Sequence, residues 1–174
     1  DRGALRRAAQ VIGAAKRPVI IAGGGVVYSA ATTELAEFVA KTGIPVGVTQ
    51  AGKASLPYDH PQMVNALGAS GSVFANALAN EADVIIGIGT RYTDFTTASN
   101  TLFTNPDVQF VNINVTELDA YKESGLALIG DAREILTELA DLLSDYTVDP
   151  SYRSEVEKAA DQWRDEVDRI VEVQ

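Results

Sequence analysis

Short apolar runs alternate along this chain with segments whose apolar residues recur at helical spacing. Each run is bounded by Gly, Pro or polar residues, which is typical of strands that are buried on both faces of a parallel sheet. Because strands and helices alternate, successive strands are expected to be joined by crossover helices. The runs predicted to be strands are 19–22, 45–48, 84–89, 108–113 and 127–129.

The segments between these runs predict helices, and several carry recognisable end signals. Ser29 or Thr32 is available to cap the second helix and Gly43 to end it, while Asp131 is placed to cap a later one. Residues 49–65 are rich in Gly, Pro and polar side chains and predict a long loop. The predicted helices cover 4–15, the residues around 35–42, 70–80, a short segment around 117–121, and 131–143.

This alternation predicts an α/β fold, with a doubly wound, mostly parallel, Rossmann-like sheet of five or six strands and helices on both faces. We expect residues 1–148 to form this domain, and 149–174 to form an amphipathic C-terminal helical extension or linker toward another domain. Its narrow apolar stripe packs either on its own domain or on another domain or subunit. The stripe consists of Tyr152, Val156, Ala159, Trp163, Val167 and Ile170.

Composition excludes several classes of function. The 174 residues carry a formal net charge of −10, which argues against a nucleic-acid partner because phosphate binding needs a basic surface. No stretch is apolar enough to predict a membrane span. The chain has no Cys, which excludes disulfides and thiolate chemistry and favours a cytoplasmic location. It begins with Asp1 rather than Met, as expected of a processed chain or of a piece of a longer protein.

Patterns that would support catalysis or metal binding are nearly absent. The single histidine, His60, lies in the predicted loop and is expected to serve a loop hydrogen bond. No closely spaced pair of carboxylates follows a predicted strand, and no Cys is available as a ligand. We therefore predict neither a catalytic nor a metal-ligating residue in this chain.

Two glycine-rich turns follow predicted strands and resemble the phosphate-binding turn of dinucleotide-binding folds. Gly23-x-Gly25 and Gly87-x-Gly89 both have the first two glycines of that motif, but Tyr28 and Tyr92 stand where the third is needed. Two interpretations stay open: a retained nucleotide-shaped groove, or tight turns that hold no ligand.

Polar residues after the third and fourth predicted strands extend this candidate groove. Arg91 and Asp94 either clamp a phosphate and a ribose hydroxyl or pair with each other, and Asn112 and Asn114 stand where an acid would suit a ribose hydroxyl. The predicted cofactor-binding residues are Gly23, Gly24, Gly25, Thr90, Arg91, Asn114 and Asp131.

Five segments of the chain, taken in their order and spacing, form a recognisable set. They are RPVIIAGGGV (17–26), GIPVGVTQAGKASLPYDHP (43–61), ADVIIGIGTRYTDFTTAS (82–99), VQFVNINVTELDAYK (108–122) and LIGDAREILTELADLL (128–143). Together they resemble the central domain of thiamine-diphosphate-dependent enzymes, a family that includes acetolactate synthases and glyoxylate carboligases. Within that family, FTTASNTLF (95–103) is similar to the branch that opens the ring of a trihydroxycyclohexane-1,2-dione in myo-inositol breakdown.

The resemblance implies a full-length C–C bond-cleaving enzyme that uses thiamine diphosphate and Mg²⁺. It implies that flanking pyrimidine- and diphosphate-binding domains hold both, and that the full-length protein is a homodimer or homotetramer. The family's GDG motif has no counterpart here, because Gly130-Asp131 is followed by Ala132. We therefore expect this chain not to bind the cofactor.

Two functions follow from the resemblance. The first is a non-catalytic scaffold domain of that hydrolase, with a vestigial groove for FAD or ADP. The second is a working nucleotide-binding module for FAD or ADP in an acetolactate synthase-like enzyme or another 2-keto acid carboligase or decarboxylase. Asn112 and Asn114 replace acids of the family pattern, which lowers the expectation of FAD.

Overall fold

The sheet has six strands, all parallel. The structure is a computed structural model that describes residues 1–172. Its strands are β1 (Pro18–Ala22), β2 (Val46–Val48), β3 (Met63–Ala66), β4 (Val84–Ile88), β5 (Gln109–Asn114) and β6 (Leu126–Ile129). They pair in the order β3-β2-β1-β4-β5-β6. The chain therefore winds outward in both directions from β1 and β4, which confirms the predicted doubly wound, Rossmann-like fold.

Helices cover the sheet in two groups. They are α1 (Arg2–Ala14), α2 (Gly24–Tyr28), α3 (Thr32–Thr42), α4 (Val73–Glu81), α5 (Asp94–Thr97), α6 (Glu117–Ala120), α7 (Ala132–Leu142) and α8 (Pro150–Glu172). α1 and α3 both pack against α7, whereas α4 packs against α8. Because crossovers between parallel strands are right-handed, the two groups lie on opposite faces. None of the helices within residues 1–172 has the length and apolarity needed to cross a bilayer.

The segment 49–65 differs from its prediction as a loop, because it ends in the edge strand β3. The pairing of β3 with β2 shifts register between Val46 and Gly47, and Asn65 adopts a φ of 70°. A bulged strand of four residues has no regular alternation of apolar and polar positions, so its sequence pattern does not distinguish it from a loop.

The helix predicted around residues 35–42 is α3, and the short helix α2, which was not predicted, precedes it. Ala30 has a φ of 51°, and α3 follows Ala31 without a side-chain cap, so neither Ser29 nor Thr32 caps it as predicted. The other end signals are confirmed. Gly43 ends α3 in the left-handed conformation, and Asp131 caps α7 by accepting a hydrogen bond from the Arg133 N–H at 2.9 Å.

The first half of α8 packs on this domain. Tyr152 and Val156 are buried, and the Tyr152 hydroxyl donates a hydrogen bond to the Pro18 carbonyl at 3.1 Å. The Arg17 guanidinium lies 4.7 Å from the centre of the Tyr152 ring and pairs with Glu155 at 2.6 Å. Farther along the stripe, Ile170 is 55% exposed. The start of the stripe therefore packs on its own domain, whereas its end is exposed to solvent.

Replacing Val156 by Ala tests this division of α8. Because Val156 is fully buried, we expect Val156→Ala to lower the free energy of unfolding by about 2 kcal/mol. Val171 is 63% exposed and provides the matched control, for which we expect a change below about 0.5 kcal/mol. Urea unfolding of both variants measures the difference, and equal effects would contradict the packing described here.

The ion pair of Arg17 with Glu155 predicts a pH-dependent contribution to stability. The hydrogen bond from Arg17 lowers the pKa of Glu155. The stabilisation is therefore fully present above the ordinary glutamate pKa of about 4.3, and it is lost as the pH falls through the lowered pKa. We expect Glu155→Gln to reduce the free energy of unfolding at neutral pH by about 0.5 kcal/mol.

Urea unfolding as a function of pH measures this effect, and the difference between Glu155→Gln and the unmodified chain should vanish below the lowered pKa. Glu138 is exposed and forms no ion pair within residues 1–172. Glu138→Gln is therefore the control, and it should leave the pH dependence unchanged. A difference that persists in acid would show that Glu155 stabilises α8 by something other than its charge.

Candidate functional site

A cavity of about 670 Å³ opens at the carboxyl ends of the central strands, where the two glycine-rich turns meet. A Cβ atom on Gly23 or Gly25 would overlap the backbone of Gly89, which has a φ of 58°. The N–H groups of Gly23 and Gly25 donate to the carbonyls of Ile88 (2.8 Å) and Gly89 (3.1 Å). Gly24, the first residue of α2, keeps its N–H free of intrahelical bonding. The main role of these glycines is therefore to let the two turns pack directly against each other.

The structure brings six of the seven predicted cofactor-binding residues to the wall of this cavity. Gly23 is the exception, because it lies behind the wall against Gly89. Arg91 is exposed, and Asp94 does not line the cavity. One predicted alternative was that Arg91 and Asp94 pair with each other. Within residues 1–172 the two side chains form no such ion pair. The lining residues are Gly24, Gly25, Thr90, Arg91, Asn114 and Asp131.

Asn114 lines the cavity but uses both of its polar atoms within the protein. Its Nδ2 donates to the Thr90 carbonyl at 3.0 Å. Its Oδ1 accepts from both the N–H and the hydroxyl of Thr116, each at 3.1 Å. The side chain therefore ties the end of β5 to the loop after β4, and the oxygen that a ribose hydroxyl would need is already engaged.

Tyr92 and Asn112 form a second hydrogen-bonded link between β5 and the loop after β4, and the sequence analysis did not predict it. Asn112 is buried, and its Oδ1 accepts a hydrogen bond from the Tyr92 hydroxyl at 2.7 Å. The Tyr92 ring packs edge-on against Phe103 and Phe110. Burial raises the pKa of the Tyr92 phenol, so it stays a donor at physiological pH. A Cβ at Gly87 would overlap the Tyr92 hydroxyl, which explains the glycine in the middle of β4.

These contacts hold the loop that carries Arg91. Tyr92 has a φ of 47°, a conformation that costs a bulky residue energy unless its surroundings hold it in place. The Arg91 carbonyl accepts a hydrogen bond from the Lys122 Nζ at 2.6 Å, and the neighbouring Thr90 carbonyl is held by Asn114. The backbone is thus fixed while the Arg91 guanidinium remains exposed at the cavity.

Asp131 brings a negative charge to the same cavity. Partial burial raises the pKa of its carboxyl group, but the Ser29 hydroxyl and the N–H groups of Arg133 and Glu134 lower it more, so the net shift is downward. One carboxylate that caps a helix does not supply the set of oxygen ligands that Mg²⁺ requires. Within residues 1–172, no group of three or more His, Asp or Glu side chains is placed to hold a metal ion. The site therefore does not fit the diphosphate–Mg²⁺ unit of thiamine diphosphate.

Comparison with known proteins assigns the fold to a family. The sequence profile of the family described as "Thiamine pyrophosphate enzyme, central domain" matches residues 5–139. This chain belongs to that family. The resemblance found in the sequence is thereby confirmed, and thiamine diphosphate is the cofactor of the full-length enzymes to which such central domains belong.

Three relatives of this central domain are named 3D-(3,5/4)-trihydroxycyclohexane-1,2-dione hydrolase. Those from Bacillus cereus (strain AH820) and Bacillus anthracis (strain CDC 684 / NRRL 3495) are 45% identical to it over 169 residues, which is 97% of this chain and 26% of each relative. The relative from Clostridium botulinum (strain Alaska E43 / Type E3) is 43% identical, over 91% of this chain and 25% of its own length. The chain thus spans about a quarter of these relatives.

Removing the Tyr92 hydroxyl tests the buried connection in this central domain. Tyr92→Phe leaves the Asn112 Oδ1 without its donor, so we expect the free energy of unfolding to fall by about 1–3 kcal/mol. Tyr121 is 59% exposed, and Tyr121→Phe, the matched control, should change it by less than about 0.5 kcal/mol. Urea unfolding of the two variants checks the prediction, and a Tyr92→Phe variant as stable as the control would contradict it.

Proposed function

We propose that this chain is the non-catalytic central scaffold domain of a thiamine-diphosphate- and Mg²⁺-dependent hydrolase. The proposed substrate of the full-length enzyme is trihydroxycyclohexane-1,2-dione, whose ring it opens in myo-inositol catabolism. The observation that carries the proposal is the identity of 45%, over 97% of this chain, to proteins named as that hydrolase. The hydrolase names do not favour the alternative of an acetolactate synthase-like enzyme.

The scaffold role is supported by how the polar groups of the cavity are used. Asp131 caps α7, Asn114 joins two loops, and two of the three glycine N–H groups are bonded to backbone carbonyls. The only Gly–Asp pair of the chain is therefore committed to the fold. We propose that flanking pyrimidine- and diphosphate-binding domains of the same longer chain hold thiamine diphosphate and Mg²⁺.

The proposed domain organisation rests on the exposed end of α8 and on the length of the relatives. Residues 1–148 form the central domain and 149–174 lead toward a neighbouring domain, in a full-length protein that is a homodimer or homotetramer. The open end of α8, where Ile170 and Val171 are more than half exposed, supports a contact beyond this domain. The relatives, of which this chain spans 26%, have the length that further domains require.

A second candidate function is nucleotide binding, with ADP or FAD in the same cavity. The observation that favours it is that the exposed Arg91 and the free N–H of Gly24 line one cavity of about 670 Å³. Together they offer a positive charge and a backbone donor to a phosphate group. FAD is less favoured than ADP, because Asp131 places a negative charge at the cavity and the Asn114 amide oxygen is already hydrogen-bonded to Thr116.

Calorimetric titration of this chain with thiamine diphosphate and Mg²⁺, ADP, FAD and NAD separates the two candidates. For a scaffold domain we expect no heat of binding from any of them. Micromolar binding of ADP that weakens about tenfold or more in Arg91→Ala, but not in the surface control Lys158→Ala, would instead establish the nucleotide site. Binding of thiamine diphosphate to this chain would contradict the scaffold proposal.

The proposed substrate needs a separate experiment on the full-length protein that contains this chain. We expect it to consume trihydroxycyclohexane-1,2-dione only when thiamine diphosphate and Mg²⁺ are supplied, and to release an open-chain acid. Pyruvate is the control substrate, because a carboligase would convert it to acetolactate. Turnover of pyruvate without turnover of the cyclic dione would refute the hydrolase assignment while leaving the scaffold role of this domain intact.

A further inference from the structure

Large apolar side chains are exposed around the mouth of the cavity at the carboxyl ends of the strands. Tyr28 follows β1, Phe95 follows β4 and Val115 follows β5, and all three line the cavity. Leu118 lies next to them in the first turn of α6. Tyr28 is 90% exposed and Leu118 80%, and the other two are also mostly exposed. These four residues form an apolar rim at the carboxyl edge of the sheet.

A molecule bound inside the cavity would not cover the whole apolar rim. Leu118 does not line the cavity, and the three residues that do line it keep most of their surface in water. Clusters of exposed apolar side chains on a soluble domain mark contacts with another protein surface, and aromatic residues are enriched in the cores of such contacts. Neither the family match nor the names of the relatives assign a contact to this surface.

The first helix of the chain begins at the same edge of the sheet. α1 packs against α7, and a Cβ on Gly13 would lie 3.6 Å from Leu143, so the last turns of the two helices are neighbours. α7 starts at the carboxyl edge, because its cap Asp131 lines the cavity. The 13 residues of α1 rise about 20 Å, which is enough to span the height of the sheet. Asp1 therefore lies at the carboxyl edge.

The last helix runs to a different part of the domain. α8 begins beside the amino end of β1, where Tyr152 contacts Pro18, and it packs on β3 and α4. β3 is an edge strand that is separated from β5 by β2, β1 and β4. α1, in contrast, packs on β6, which is the neighbour of β5. A domain attached before residue 1 is therefore joined on the side of the sheet that carries Val115 and Leu118.

We propose that the apolar rim is the docking surface for the domain that precedes residue 1 in the full-length protein. The proposal rests on the proposed function, in which flanking domains belong to the same longer chain. The matched region is 26% of the length of the relatives, which leaves ample length for such a domain. Because it would be tethered at this edge, it would meet the apolar rim at an effective concentration of about 1 mM. A modest apolar contact is then sufficient to hold it in place.

The chemistry of the apolar rim defines the surface that fits it. Tyr28 and Phe95 require an apolar counterpart. Arg91 is exposed in the same cavity and forms no ion pair within residues 1–172, so the docked domain should also offer it a hydrogen-bond acceptor. Docking would turn the open cavity into a chamber between two domains, which is a common position for binding sites.

Site-specific photo-crosslinking of the full-length protein tests the proposal. With p-benzoylphenylalanine in place of Tyr28, we expect irradiation to form a crosslink within one polypeptide, to a peptide that precedes residue 1. Tyr58 is the matched control. It is also an exposed tyrosine, but it lines a second cavity of about 670 Å³ between the first turn of α3, the loop 53–58 and β3. The same replacement at Tyr58 should give no crosslink to that region. Denaturing electrophoresis and peptide mass spectrometry identify the products.

A charge placed in the apolar rim provides a second measurement. We expect Leu118→Arg to lower the crosslinking yield at position 28 at least about fivefold, because docking would bury the charge without a partner. Leu142 is 47% exposed near the end of α7, and Leu142→Arg, the matched control, should leave the yield unchanged. In this chain alone, both substitutions should keep the melting temperature within about 2 °C, because both side chains are exposed.

Several outcomes would overturn the proposal. A crosslinked product of twice the chain mass would place a second copy on the apolar rim, and crosslinked peptides from beyond residue 174 would place the following domain there. The absence of a crosslink at position 28, the same crosslink from position 58, or an unchanged yield in Leu118→Arg would also refute it. These results leave the proposed function intact, because turnover of the cyclic dione and the ligand titrations test that function separately.

Discussion

The structure depends on the close contact between the turns that follow β1 and β4. β1 and β4 pair along their whole length, and the chain winds away from them in opposite directions. Their carboxyl ends therefore meet where the connections diverge, which is the position where open α/β sheets form a crevice. Only glycine permits the approach, because a Cβ at Gly23 or Gly25 would enter the backbone of Gly89. The cavity exists because these backbones are in contact.

The same contact limits what the crevice can bind. A phosphate-binding turn needs free N–H groups, yet Gly23 and Gly25 donate theirs to Ile88 and Gly89 across the contact. Asn114 and Asp131 are likewise used to join loops and to cap α7. The residues that a dinucleotide-binding domain directs at its ligand are here directed at the protein itself. This internal use of polar groups is the main structural support for the scaffold role proposed above.

Most of the fold could be predicted from the sequence, and much less of the site. The strands 19–22 and 84–89 are evident because central strands of a parallel sheet are uniformly apolar. The bulged β3 and the division of α2 from α3 at Ala30 depend on unusual backbone angles, which no periodicity reports. The family was recognisable from the order of its segments. The pairing of Tyr92 with Asn112 joins residues that are distant in sequence, although a polar residue between Val111 and Ile113 was a signal that a partner must exist.

The loop between β2 and β3 is held by the end of β1, and this determines how the two cavities are related. The Thr49 N–H donates to the Ala22 carbonyl at 3.0 Å, and a Cβ at Gly52 would overlap that carbonyl. Ala22 is followed directly by Gly23, so the residue that holds the loop is adjacent in sequence to the residue that contacts Gly89. Beyond Gly52 the loop separates the cavities, with Ala51 on one side and Lys53 on the other. Because Gly52 lies against the Ala22 carbonyl, the contact that fixes this loop also fixes the point at which its residues pass from one cavity to the other.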